Sequence, residues 1–147
     1  MKKLNVDRKL IGRLEIADLP LFGLRNLIVK TDTGAYTSSI HVSKCEERHT
    51  EEVSELVVVF LDEKHPQFTG EELTFKTFRQ KKVKSSTGQE QLRYFVKGSI
   101  TLGNETYSTE FSLTKRNGMR HPILLGRKLL NGRFIVDPSK KNIAKNN

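Results

Sequence analysis

The chain has no tryptophan, a single cysteine, four prolines and no long apolar run. Each shortage excludes something. One cysteine, Cys45, rules out an intrachain disulfide, and with it a small fold held by disulfide staples. No stretch approaches the about 20 consecutive apolar residues of a helical membrane span, so no membrane partner is expected. The first residues are positive, but the apolar segment of a secretory signal does not follow them. These absences lead to an expectation of a cytoplasmic protein. There is no Gly-rich loop ending in Gly-Lys-Ser/Thr to cradle ATP phosphates. None of the four histidines, His41, His49, His65 and His121, stands in a His-Glu-x-x-His pattern. Cys45 and His49 are close together in a charged stretch, but two ligands do not close a metal site. No cofactor and no metal are expected.

Positive charge is plentiful. Lys and Arg number 26 against 17 Asp and Glu, a net +9. The surplus gathers at residues 79–84, at residues 115–120 and in the tail from Lys140. A surplus of this size favours an anionic partner such as nucleic acid or acidic peptide, although solvated basic faces also serve solubility. Nucleic acid is the less expected partner. Without Trp, and with the 8 Phe residues falling in strand-like runs, no exposed stacking platform is evident.

The pattern of the chain is β. At 147 residues it is one domain, expected over 1–139, with a basic, frayed tail over 140–147. Strands are expected over 10–19, 24–31 and 38–44. The run 56–61, Leu-Val-Val-Val-Phe-Leu, is short and β-branched, as in a strand buried on both faces. Residues 46–54 read as a charged loop, and 73–78 alternate. The clearest alternation is Leu92, Tyr94, Val96, Gly98, Ile100 and Leu102, which places these side chains on one sheet face. Gly103-Asn104 marks a hairpin turn, and 107–113 returns from it. Ser85-Ser86-Thr87-Gly88 marks another turn, in a polar hairpin. Near the end, 123–125 is a short strand, 126–130 one helical turn, and 134–136 the last strand.

The segment that carries chemistry is Asp32-Thr33-Gly34-Ala35, directly after the apolar Leu27-Ile28-Val29. A Gly turn leaves room for the backbone to fold tightly and to hold a carboxylate at the floor of a pocket. Two such carboxylates sharing a proton can activate a water, one as base and the other as acid toward a carbonyl oxygen. This chain carries the motif once. Asp137 lacks the Gly turn and reads as a strand boundary. Later in the chain comes Leu124-Leu125-Gly126-Arg127, two apolar residues and a Gly leading into a short helix. By itself it is an ordinary buried strand end.

Together these segments resemble the bacterial retropepsin-like peptidases often labelled ATP-dependent zinc proteases. The resemblance covers nearly the whole chain. It runs from Ile11-Gly12-Arg13 through residues 30–41 and Val83–Gly88 to Leu113–Arg116, Met119, Pro122, Leu124–Arg127 and Arg133–Pro138. It implies an all-β, retropepsin-like (acid protease) closed β-barrel with one short C-terminal helix. It implies an aspartic endopeptidase with Asp32 as the catalytic group, contributed by each chain of a homodimer. Thr33, Gly34, Ala35, Leu124, Leu125 and Gly126 would support the active-site loop, and Ser85, Ser86, Thr87 and Gly88 are candidates for a flap tip. Pepsin-like relatives carry Ser or Thr after the Gly, whereas Ala35 offers no hydroxyl to the carboxylate. An activity optimum nearer neutral than pepsin's follows. Thr31 and Tyr36 also depart from the common pattern, which has Val and a basic residue at these positions.

Some relatives are associated with ligases that add glutamate tails to proteins. With Arg79, Arg93 and Arg127 as candidate contacts for substrate charge, the expected substrate is a peptide or protein that extends to acidic, glutamate-tailed ones. The competing reading is a non-catalytic basic β-barrel module that binds nucleic acid or an acidic protein. Neither the zinc nor the ATP of the family label is supported by residues of this chain.

Overall fold

The computed structural model describes residues 7–84, 87–115 and 120–146. The positive start at residues 1–6, Ser85 and Ser86 of the candidate flap tip, and residues 116–119 of one basic cluster and of the family motifs lie outside them. Strand β1 (Lys9–Leu19) ends where Pro20 opens a 3₁₀ turn, which closes on Gly23 at φ 69° and feeds β2 (Leu24–Thr31). After the Asp32 loop come β3 (Ser38–His49), β4 (Ser54–Phe60), β5 (Leu73–Phe75) and β6 (Arg79–Lys84). The long hairpin of β7 (Glu90–Leu102) and β8 (Glu105–Thr114) turns on Gly103-Asn104, with Gly103 at φ 65°. A two-residue turn with a left-handed Gly in first place matches the twist of the strands it joins. Then β9 (Ile123–Leu125), helix α1 (Arg127–Leu130) and β10 (Phe134–Lys141) complete the order.

The main path of the sheet runs β10-β1-β2-β9-β3-β8-β7-β6, with β4 and β5 added beside β3. Two residue pairs, Ala17 with Leu102 and Asp18 with Thr101, also join β1 to β7. The pairings therefore form a ring through β1, β2, β9, β3, β8 and β7. This is less than the closed barrel expected from the sequence, because so short a link is not the continuous ladder of a closed barrel. No helix among the described residues is long and apolar enough to cross a membrane.

The core draws on all six strands of this ring and on β4. Every residue from Leu56 to Leu61 is buried, as the unbroken apolar run requires. Phe22 stacks on Phe60 at 4.2 Å between centroids and meets Phe75 and Phe111 edge-on. Gly98 of β7 makes the space for this cluster: a Cβ there would lie 2.6 Å from the Phe22 ring.

Three local expectations change. The charged stretch 46–54 is a strand hairpin, in which β3 runs to His49 and only Thr50–Val53 turn, closed by Thr50 N–H to Val53 O at 2.9 Å. Its charges hid the strand because they find partners in the fold: Glu47 pairs with His49, two residues on along β3, at 2.9 Å and accepts from Tyr94 Oη of β7 at 2.9 Å. The alternation at 73–78 yields strand only to Phe75. The tail is not frayed through residue 146. β10 runs parallel to β1 as far as Lys141, and Ala144 is buried. The buried Glu15 carboxylate accepts from Gly12 N (2.8 Å), Ile143 N (3.1 Å) and Ala144 N (3.0 Å), tying the tail to β1. A strand Glu gives no sequence sign of such a role.

Candidate active site

The Asp32 loop is built from backbone. β2 and β9 run parallel, with Thr31 opposite Leu125, and Asp32 N–H donates to Leu125 O at 2.8 Å. Asp32 Oδ1 accepts from Gly34 N at 3.0 Å, and Ala35 N–H donates to Asp32 O at 3.1 Å, which closes the turn. A Cβ on Gly34 would approach Asp32 Oδ1 to 3.3 Å, so the Gly keeps the carboxylate clear. Thr33 and Gly34 stand exposed at the tip, and Asp32 is half-buried.

The Leu124–Arg127 segment braces this loop. Leu125 is buried, and Leu124 faces the site. Gly126 lies backbone against backbone on the loop: a Cβ there would fall 2.7 Å from Tyr36 O. Its N–H donates to the buried Ser38 Oγ at 3.0 Å. The first N–H groups of a helix lack partners inside it. Here Arg127 N and Lys128 N donate to Ala35 O and Tyr36 O, both at 2.8 Å. The Arg127 guanidinium donates to Thr33 O at 3.0 Å and lies over the Tyr36 ring. Thr31, another departure from the family pattern, shares its hydroxyl between Gly12 O and Arg13 O, both at 3.2 Å.

A cavity of about 320 Å³ opens beside Asp32. Arg93 lines it together with Tyr36, Phe95, Leu124 and the hydroxyl residues Thr37, Ser39, Ser112 and Thr114. Ser112 is 5% exposed, and its hydroxyl has no hydrogen-bond partner among the described residues. A buried hydroxyl without a protein partner is unusual. Nothing in the sequence singled out Ser112, which lies on the sheet face opposite the core residues Phe111 and Leu113.

Of the three candidate arginines, only Arg93 lines the Asp32 cavity. Arg79 forms a two-pronged pair with Glu110 (2.8 and 3.1 Å) and lies over the Phe95 ring. The Arg79 hydrogen bond, helped by Lys128, holds the Glu110 carboxyl below the usual range. Arg127 serves the loop. On the candidate flap, β6 and β7 pair from Arg79–Phe95 to Lys84–Glu90, and Thr87 and Gly88 are exposed beyond them. Burial pushes the Cys45 thiol up to about 11, so it is a poor nucleophile or ligand.

The family model for RimB-like proteins, described as the retropepsin-like aspartic endopeptidase RimB, matches residues 10–147. The chain belongs to this family. Among curated relatives, a probable alpha-L-glutamate ligase of Shewanella pealeana is 32% identical over 138 residues, covering 91% of this chain and 29% of the relative. One of Parasynechococcus marenigrum is 30% identical over 138 residues, covering 90% of this chain and 29% of the relative. The chain thus spans less than a third of the length of these relatives. A solved Legionella pneumophila protein of unknown function shares the fold, with a TM-score of 0.64 and 24% identity over 93% of this chain and 98% of the other.

Proposed function

We propose that this chain is an aspartic endopeptidase that works as a homodimer, with Asp32 of each subunit flanking one water. The braced Asp32 loop carries the reading. The carboxylate is held by backbone hydrogen bonds on both sides of the turn, yet only Oδ1 is engaged, by Gly34. The other oxygen has no hydrogen-bond partner among the described residues, so the group is fixed in place while keeping an acceptor for chemistry. A single carboxylate cannot act as acid and base at once, and the chain carries one Asp-Thr-Gly. The second carboxylate therefore comes from a second copy, and the exposed Thr33 and Gly34 are the groups that meet it. Thr87 and Gly88, exposed beyond the paired ends of β6 and β7, belong to a flap over the cleft. The pH optimum lies nearer neutral than pepsin's because Ala35 brings no hydroxyl.

An acidic, glutamate-bearing peptide is the preferred substrate. Arg93 in the Asp32 cavity favours a carboxylate side chain. The names of the longer relatives, probable alpha-L-glutamate ligases, fit a protein that acts on glutamate-linked chains. These residues act as one domain, and a cytoplasmic location is in keeping with one inert thiol.

The test is cleavage of an oligoglutamate-tagged peptide and of a neutral one by wild type and by Asp32→Asn. Loss of both cleavages in a folded Asp32→Asn protein supports the reading. Undiminished cleavage by that variant, or cleavage by a strictly monomeric species, overturns it. A protein that only binds through its basic surface would retain binding in Asp32→Asn and cleave nothing in either form.

A further inference from the structure

A second cavity, about 560 Å³, is larger than the one at Asp32. It forms where the outer side of β2, the segment after β4 and residues 120–122 converge, with the buried His41 of β3 among its lining. Three of the four histidines, from three distant parts of the chain, line it: His41, His65 and His121. Arg120 and His121 also line a recess that reaches Asp32, so the two regions share a wall.

The cavity's carboxylate is already engaged. Leu61 is buried at φ 67°, a left-handed conformation uncommon for Leu, and its N–H donates to His41 O at 2.8 Å. This kink brings Asp62 Oδ2 within 3.0 Å of His41 Nε2, while Asp62 Oδ1 accepts from Lys64 N at 2.8 Å. His41 Nδ1 lies 3.2 Å from Thr114 O, an atom that can only accept. No other carboxylate lines the cavity among the described residues.

The remaining polar lining is two amides, Asn26 and Gln67, two histidines and two cations. His65 Nδ1 accepts from Gln67 N at 3.0 Å, so the ring hydrogen sits on Nε2 as a donor. Arg120 and Lys64 add full positive charges. His121 is held below the usual histidine range by burial, and further by Lys30, Arg120 and Arg13. Arg120 and Lys64 have no ion-pair partner among the described residues, and the cavity's one carboxylate, Asp62, faces His41. The side chains are not gathered as a metal site among the described residues. Ile28, Leu61, Pro66 and Pro122 give the cavity apolar walls, which suit a ligand with a hydrocarbon part better than a bare inorganic anion.

We propose that this cavity binds a carboxylate on a short aliphatic stem, held by His65, Arg120 and His121, at a site separate from Asp32. Such a group is offered by an acidic side chain or by the C-terminus of a peptide. The site does not use Asp32 and stands whether or not Asp32 cleaves anything.

The imidazole signals of the full chain test this in NMR titrations with N-acetylglutamate α-amide, N-acetyl-leucine and inorganic phosphate. At least one carboxylate probe should shift the His65 and His121 signals while leaving His49 unmoved, and it should bind more tightly than phosphate. The titration midpoint of His121 should rise on binding, because the new negative charge offsets its cationic neighbours. Arg120→Gln should weaken binding by about tenfold, and Asp32→Asn should leave it unchanged. A tighter glutamate amide identifies a side-chain carboxylate as the natural group, and a tighter acetyl-leucine a C-terminus. Silence at both histidines, equal binding of phosphate, loss of binding in Asp32→Asn, or indifference to Arg120→Gln overturns the proposal.

Discussion

Glu15 is 2% exposed in β1 and accepts hydrogen bonds from three backbone N–H groups. Asp32, half-buried just past β2, accepts from one backbone N–H, that of Gly34. Both carboxylates are fixed in place, by different means. Glu15 is fixed by its own oxygens, which are consumed in joining the last residues to the first strand. Asp32 is fixed by its backbone and by the Leu124–Arg127 brace, so its carboxylate keeps an oxygen available. A carboxylate whose acceptors are filled is structural. One held by its main chain is available for chemistry.

Exchanging the roles of these two residues is the most direct way to break that contrast. Asp32→Asn should lower cleavage by about 10³-fold or more while leaving the thermal midpoint nearly unmoved. A variant that loses stability along with activity would place Asp32 with Glu15. Glu15→Ala should show the opposite behaviour. It leaves two buried N–H groups and a part-buried one without acceptors, so denaturant unfolding should show a loss of about 3 kcal/mol. The protein that remains folded should cleave normally.

Smaller changes sharpen the contrast. Gly126→Ala forces a Cβ against Tyr36 O and should cost about 1–3 kcal/mol, with a fall in activity that Gly98 substitutions, equally crowded but remote from Asp32, should not show. Arg93→Gln should reduce cleavage of an acidic peptide by about tenfold and leave a neutral one nearly unaffected, whereas Arg79→Gln should not discriminate between the two.

The smallest effect concerns pH. The Arg79 bond and Lys128 depress the Glu110 carboxyl. Its contribution to stability is therefore present above the ordinary glutamate range and lost as pH falls through the depressed value. Wild type should exceed Glu110→Gln in denaturant midpoint at neutral pH, and the two should converge as pH falls through the depressed Glu110 value. A gap that persists in acid would mean packing rather than charge.

Much of this was legible in the sequence because it is local. The buried run at 56–61, the alternation from Val96 to Leu102, the Gly103-Asn104 turn and the Asp32 turn are patterns of side-chain period and Gly placement. Short-range sterics enforce these directly. Leu92, at the start of that alternation, is exposed because the strand extends there beyond the core. The strand at 46–49 escaped detection for a related reason: its charged side chains are satisfied by partners such as His49 and Tyr94 for Glu47, so it shows no apolar period.

The sequence by itself determined a mostly-β chain with one Asp-Thr-Gly turn, one Leu-Leu-Gly segment and a basic surplus, because composition, period and turn chemistry are properties of neighbouring residues. Only the tertiary structure decided that Arg93 rather than Arg79 lines the Asp32 cavity, that Glu15 ties down the tail, and that His41, His65 and His121 line one cavity. Those outcomes depend on which distant strands become neighbours. A side chain's role is set by the partners that pairing brings within hydrogen-bond reach, and no local pattern encodes them.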